Sequence, residues 1–567
     1  MHSNEEYVLS VLEDVGLVTR AQVESARSRL NGTKDVVSVL VRDGIVTETD
    51  VSRTLATQAH MDWIDVSTLA ISPDVIEQLR PEDARRFRAI PVGYGESGLT
   101  IAISDPLDID TIDGLSFLLQ REIELVCSGP EQIREALVRY YGSADDAADL
   151  LEGRLGGSLE DSLEIREGAP LAAGDEGDAP IIKMVSMLLV EAHKLGASDI
   201  HLEPLETTFR VRFRIDGVLQ PMQSPPKRLQ SAIISRLKIM SGSMSIAEKR
   251  LPQDGRIQVK VGGKPIDLRV STIPTNHGES MVMRLLDKSS LTLGLPELGF
   301  LSDDQEIFER LLKLPDGILL VTGPTGSGKT STLYACLNYM NKPDRKIITV
   351  EEPVEYQMNG INQVQVNTDI GMTFPAALRS ILRQAPNIIM IGEIRDLETA
   401  SIATNASLTG HLVFSTLHTN DAPSAIARLV DLGMQPFLVA SAVRAIMAQR
   451  LVRRLCAKCK KPGELKETEL RALRVEASQL GDAQIMVPVG CDRCRGTGFK
   501  GRMGIFEIFV IDDDVRHMIN NRKSTLQLRQ RARELGMRTL REDGVRKVLG
   551  GLTSAEEVIS ITLGDAN

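Results

Sequence analysis

A chain of 567 residues that is 42% apolar and 25% charged has an ordinary globular composition but is too long for one core, so three or four domains are expected. A net charge of −11 argues against holding nucleic acid through the bulk field, and no apolar run approaches the roughly 20 residues that span a bilayer. The start, Met1-His2-Ser3-Asn4-Glu5-Glu6, lacks the basic and apolar regions of a signal peptide, and four of the six cysteines fall in CxxC pairs, so a cytoplasmic protein is expected.

Residues 1–142 read as a first module. Val8-Leu9-Ser10-Val11-Leu12 and Gly16-Leu17-Val18-Thr19 recur 28 residues on as Val36-Val37-Ser38-Val39-Leu40 and Gly44-Ile45-Val46-Thr47. Each copy predicts a helix, a turn at the glycine and a second helix capped by Thr19 or Thr47. From Met61 the pattern turns mixed, with strands at 99–103 and 122–126 and a helix at 130–141. Trp63 lies near this junction and suits interface packing. Residues 143–178 are rich in Gly, Ala, Asp and Glu, a composition that buries too little surface to offset ordering, so a flexible acidic linker is expected.

Order resumes in a lobe expected over 179–298, with an apolar-periodic helix from Ile181 to about Lys194. The alternating run Phe209-Arg210-Val211-Arg212-Phe213-Arg214-Ile215 predicts a strand whose arginines share one face. That face is a solvated one unless an anion is brought to it. Further arginines follow on or beside predicted strands: Arg250, Arg256, Arg269 and Arg284.

The last region, 299–567, is organised by Gly323-Pro324-Thr325-Gly326-Ser327-Gly328-Lys329-Thr330, continued by Ser331. The apolar run Ile318-Leu319-Leu320-Val321 precedes it and a helical segment to Met340 follows, the strand–loop–helix setting in which this spacing means a P-loop. Its glycines let N–H groups turn toward phosphate oxygens, Lys329 reaches the β- and γ-phosphates, and Thr330 holds Mg²⁺.

Binding becomes hydrolysis only with an acidic group to orient water. The buried strand pattern 388–391 leads to Glu393, and the strand 346–350 to Glu351, Glu352 and Glu355, three carboxylates that are costly together unless a cation neutralises them. His411 and His418 bracket a third strand, a pair placed to sense or contact a γ-phosphate. Cys456-x2-Cys459 and Cys491-x2-Cys494 have the spacing of a closed tetrahedral zinc site, structural rather than catalytic, whereas Cys127 and Cys336 stand alone and suit apolar packing.

Together these motifs resemble those of the type II secretion and type IV pilus assembly ATPases. The resemblance rests on Ser198 to Pro204, Arg212 to Gly217, Leu251-Pro252-Gln253-Asp254-Gly255-Arg256, Arg269-Val270-Ser271-Thr272, the P-loop, the acidic box Thr349 to Glu355, and Gly392-Glu393-Ile394-Arg395-Asp396. The histidine-bracketed strand and the tetracysteine insert at 456–494 complete it. It implies an α/β protein: a RecA-like P-loop domain with C-terminal helices, a preceding small PAS-like α/β lobe, an N-terminal α+β module and a zinc knuckle.

By the same resemblance Glu393 is the catalytic Walker B carboxylate and Glu351 helps position water or Mg²⁺. Lys329 and His418 act on the phosphate, and Arg269 and Arg284, with Arg256 behind them, become fingers toward a γ-phosphate. It further implies an ATP- and Mg²⁺-dependent hexamer at the cytoplasmic face of the inner membrane, working with platform and adaptor proteins and not with nucleic acid. Three departures stand out. The acidic box has Glu352 where the family has Asp, Asn387 replaces an Asp before Walker B and removes a charge expected near the site, and Tyr7-Val8-Leu9 and Asp35-Val36-Val37 replace the Arg-Leu-Gly of relatives that bind cyclic di-GMP. Cyclic di-GMP binding is therefore not expected, and the N-terminal module reads as a docking element. The competing classes are a nucleic-acid motor, disfavoured by the acidic balance and 4% aromatic content, and a nucleotide sensor that does not hydrolyse.

Overall fold

The computed structural model describes residues 5–29, 35–69, 71–95, 98–141, 164–165, 179–287, 294–476, 480–481 and 483–563. The chain forms two compact units, Met1–Leu286 and Asp287–Asn567.

The first unit opens with the repeated helix pairs, Glu5–Asp14 with Arg20–Ser28 and Val36–Arg42 with Glu48–Gln58. Gly16 and Gly44 turn each pair at φ of 77° and 72°, the left-handed region that glycine enters at no steric cost. Thr19 and Thr47 each close a capping box, with Gln22 and Asp50 respectively, which satisfies N–H groups the helices leave open. Val8, Leu12, Leu40 and Leu55 bury the shared face.

A three-stranded sheet follows, ordered Ala89–Gly95, Gly98–Ile103, Ile123–Cys127. Its first strand escapes sequence reasoning because Pro91, Gly93 and Gly95 read as turn residues. Trp63 joins the two parts: its indole N–H donates to Ser52 at 3.0 Å, and the Arg53 guanidinium lies 4.2 Å from its ring centre.

The lobe beyond 179 is a seven-stranded sheet in the order Glu164–Ile165, Gln253–Val261, Lys264–Thr275, Gly278–Asp287, Ala197–Pro204, Phe209–Ile215, Val218–Pro221. The expected linker lies outside the described residues except for the two-residue strand Glu164–Ile165, which pairs with Lys260 and Val259 at the sheet edge. Helices Ala179–Lys194 and Gln230–Ser241 cover one face, their Met184, Leu188 and Leu237 sharing a core with Phe209, Phe213 and Met283 of the strands. Period-two alternation sends the charged positions to the other face.

Those positions are already matched. Arg210 and Arg212 bind Glu203 at 2.7 and 2.5 Å, and Arg214 and Arg284 bind Asp199 at 3.4 and 2.9 Å. The anticipated basic face is thus largely a ladder of ion pairs across neighbouring strands.

The second unit begins ahead of the anticipated residue 299, because Leu295 and Leu298 belong to the core that holds Phe300, Phe308 and Phe506. Its seven strands run Asn362–Gln365, Ile347–Glu351, Ile388–Ile391, Leu412–Leu417, Gly317–Thr322, Val443–Leu455, Phe499–Val510. All neighbours pair in parallel except the last two. The strands 317–322, 347–351, 388–391 and 412–417 are buried throughout, as parallel strands covered on both faces must be.

Candidate active site

Parallel pairing puts the carboxyl ends of the central strands side by side, and the P-loop, Glu351, Glu393 and His418 all stand at those ends. The loop follows Thr322 and leads into the helix Lys329–Met340. Gly323, Gly326 and Gly328 adopt φ of 152°, 80° and 88°. A Cβ on Gly323 would lie 2.6 Å from the Gln449 carbonyl oxygen, and one on Gly328 would lie 2.9 Å from the Gln449 amide nitrogen. The loop therefore needs glycine both for its turn and for Gln449 beneath it. Gln449 also accepts from Thr332 at 2.8 Å, tying the helix to the neighbouring strand.

The residues present suit a triphosphate and Mg²⁺. The Ser327 hydroxyl, 4% exposed, has no hydrogen-bond partner among the described residues, and Thr330 and Ser331 are open to solvent at the helix start. Lys329 donates to the carbonyl oxygens of Gly323 and Pro324 at 2.8 and 3.0 Å, its ammonium lying across the loop. Burial, opposed by the field of Glu393 and helped by that of Arg450, brings the Lys329 pKa down to about 8.

Glu393 sits two residues past strand 388–391. Gly392 N donates to the Val350 carbonyl oxygen at 2.8 Å, Ile394 N to that of Thr416 at 3.1 Å, and the Thr416 hydroxyl to that of Gly392 at 2.8 Å, so three contacts fix its backbone. One carboxylate oxygen meets Arg395 at 2.6 Å and the other His418 Nε2 at 3.4 Å. Burial works to raise the Glu393 carboxyl, but Arg395 and His418 hold it below the usual carboxylate range. It is ionised and partly open, as a group that takes a proton from water must be.

The acidic box solves its charge problem in an unexpected way. Glu351 is 3% exposed and accepts from Tyr334 on the P-loop helix, from Thr349 at 2.6 Å and from Gln363 at 3.2 Å. Burial pushes its carboxyl above the usual range despite these donors. Both oxygens are engaged, and through Tyr334 Glu351 also holds the P-loop helix. Glu352 faces outward instead and pairs with Arg395 at 3.3 Å. The cation that neutralises this box is thus in part the Arg395 guanidinium.

Two expectations fail for one geometric reason, that a strand has two ends. His411 precedes strand 412–417 and His418 follows it, roughly 20 Å away. His411 Nδ1 lies 2.9 Å from the Ala406 carbonyl oxygen and shapes the far turn, so only His418 belongs to the site. Asn387 likewise stands before strand 388–391, with the whole strand between it and Glu393, and its side chain accepts from Lys346 N at 2.8 Å. No charge is lost near the phosphates by its presence.

Arg269 and Arg284 lie in the first unit, on strands 264–275 and 278–287. Arg269 pairs across strands with the exposed Arg256, and Arg284 holds Asp199. Gln449 beneath the P-loop, Arg450 near Lys329 and Arg395 on Glu393 had been given no role from the sequence. Arg395 alone had a signal, two places after Glu393.

The zinc expectation is tested by sulfur geometry. Four thiolates about 2.3 Å from one tetrahedral ion lie about 3.8 Å apart. Here Cys456–Cys491, Cys459–Cys494 and Cys491–Cys494 are 3.9, 3.7 and 3.7 Å apart, and all four sulfurs fall within 4.8 Å of one another. Backbone N–H groups of Cys491 and Gly498 donate to Cys494 Sγ at 3.2 Å. The set fits a structural zinc and leaves no open coordination position.

The model of the family "Type II/IV secretion system protein" matches residues 174–560, and that of the MshEN domain matches 59–147. The chain is 44% identical to the type IV pilus assembly ATPase PilB of Myxococcus xanthus over 98% of both chains. It is 46% identical to type II secretion system protein E of Aeromonas hydrophila over 81% of this chain and 90% of that one. The X-ray structure of the Legionella pneumophila ATPase DotB superposes with a TM-score of 0.51 at 21% identity, covering 67% of this chain and 95% of that one, a likeness of fold. Family, fold and site agree: this chain belongs to the Type II/IV secretion system protein family and is a P-loop ATPase.

Proposed function

We propose that the chain is the ring-forming motor that turns ATP hydrolysis into work for type II protein secretion or type IV pilus assembly at the cytoplasmic face of the inner membrane. The observation that carries this reading is the convergence of the P-loop, the ionised Glu393 and His418 on adjacent strand ends. Glu393 takes a proton from water as the water oxygen attacks the γ-phosphorus and the bond to the β-bridging oxygen breaks, releasing phosphate and ADP. Lys329 and His418 balance charge on the phosphoryl oxygens. Mg²⁺, held through Thr330, neutralises the β- and γ-phosphates when bound. Arg269 and Arg284 reach the γ-phosphate of the same or a neighbouring copy, six copies making the ring. For Arg284 this means exchanging Asp199 for phosphate.

Among the described residues no helix is long and apolar enough to cross a membrane, so attachment falls to partners: a platform membrane protein and an adaptor held by residues 1–142. A docking role there is supported by what stands at the two repeat starts. Val8, Leu9, Val36 and Val37 are buried, and Asp35 caps its helix by accepting from Ser38 N at 2.7 Å. These positions serve packing. Turnover that is stimulated by DNA and indifferent to membrane partners would favour the nucleic-acid motor instead. ATP turnover of Glu393→Gln tests the core of the reading: loss of hydrolysis with ATP binding retained is expected, and unchanged turnover contradicts it.

A further inference from the structure

Arg395 touches both acidic elements of the site, the Walker B-like strand end and the acidic box. Its guanidinium binds Glu393 at 2.6 Å from one nitrogen and Glu352 at 3.3 Å from the other. A guanidinium is a planar fork, so fixing one arm on Glu352 restricts where the other arm can hold Glu393. Arg395 is mostly exposed, and an exposed ion pair contributes little to stability. What the bridge controls is the direction of the Glu393 oxygens.

We propose that Arg395, anchored by Glu352, is a positioning residue for hydrolysis, setting the orientation from which Glu393 takes its proton from water. The inference rests on Glu393 being the base. Glu352 is one methylene longer than the aspartate the resemblance leads one to expect there, and that methylene extends its reach toward Arg395. The charged groups around Glu393 are Arg395 from its own loop, His418 from the end of strand 412–417 and Lys329 from the P-loop helix. Glu352 stands behind Arg395. The buried Glu351 ends the adjoining strand, and Asp396 is occupied in capping the next helix through Thr399 N at 2.8 Å. The Arg395 and Lys329 cations therefore favour the ionised base, and Arg395 is in direct contact with it.

The test is full-length ATPase activity across pH for Arg395→Gln, Arg395→Lys, Glu352→Gln and the Arg395→Gln/Glu352→Gln double variant. Glu393→Gln is the control, and direct binding of a fluorescent ATP analogue checks each protein's fold. Misdirecting a base by about 1 Å costs up to about a hundredfold, so Arg395→Gln is expected to lower kcat at least about tenfold with KM within about threefold. Removing its cation disfavours ionised Glu393, so the acid limb of the profile moves to higher pH. Glu352→Gln removes an anion instead: kcat falls less and the limb moves to lower pH. The double variant matches Arg395→Gln in kcat, because Glu352 directs the base only through Arg395, while its acid limb lies between those of the two single variants, and Arg395→Lys restores part of kcat. An unchanged kcat in Arg395→Gln, an unmoved acid limb, or full additivity of kcat in the double variant overturns the proposal while Glu393→Gln stays inactive. Retained turnover in Glu393→Gln overturns the base assignment and the proposal with it.

Discussion

The strand ends of the second unit and the outward sheet face of the first carry the same residue types in opposite conditions. At the strand ends, cations and carboxylates are arranged around a gap: Lys329 rests on backbone oxygens, Ser327 has no hydrogen-bond partner among the described residues, and Glu393 is held ionised by Arg395 and His418. On the sheet face Arg210, Arg212, Arg214 and Arg284 are already paired, with Glu203 taking two and Asp199 two more. The first region is organised before its ligand arrives, so its chemistry follows from geometry. The second must trade one partner for another, so any role toward phosphate is conditional on what approaches it.

That contrast gives graded expectations. The largest effects belong to the strand ends. Glu393→Gln should lower turnover by about a hundredfold to ten-thousandfold in a steady-state phosphate-release assay while leaving ATP affinity within a few fold. Lys329→Ala should remove ATP binding as well, seen by titration with a fluorescent analogue, because the loop loses its one side-chain cation. The pH dependence of binding follows from the lysine. Its ammonium titrates near about 8 in the free protein, and a bound phosphate favours the charged form. ATP affinity measured without Mg²⁺ should therefore be full below that pH and fall by up to about tenfold per unit above it. A flat profile would mean that Lys329 stays charged in the free loop.

The sheet face should respond differently. Arg284→Ala breaks a pair whose arginine is 58% exposed, so the thermal midpoint should change by no more than about 1 kcal/mol of stability allows. Turnover should fall with it if Arg284 exchanges Asp199 for a γ-phosphate. Asp199→Asn, which frees the same arginine, should not lower turnover. If both variants behave alike, the ladder is structural and the contrast between the regions is absolute. The smallest effect is expected from Asn387→Asp, under about twofold in turnover, since its side chain serves Lys346 N at the far end of the sheet.

How much of this was legible in the sequence depended on whether a function needs a contiguous motif. The P-loop, Glu393 and the cysteine knuckles were visible because their chemistry fixes residue spacing along the chain. The helix repeat was visible because Gly16 and Gly44 mark turns that only a left-handed backbone makes. Gln449 and Tyr334 were not visible, because each acts through a contact made in the folded sheet, beneath the loop and against Glu351. Asn387 and His411 were misread although chain order places both at the amino ends of their strands, away from the carboxyl ends where the site gathers. The arginines of strand 209–215 were correctly placed on one face, but their acidic partners lie on a strand whose register no motif announces.

We propose that this geometry hydrolyses ATP in an assembled ring. The most direct measurement is ATP turnover of the purified chain resolved by particle size, with Glu393→Gln alongside. Turnover that rises with the hexamer population and vanishes in the variant is the predicted result. A folded hexamer that binds ATP and turns over no faster than Glu393→Gln would contradict it.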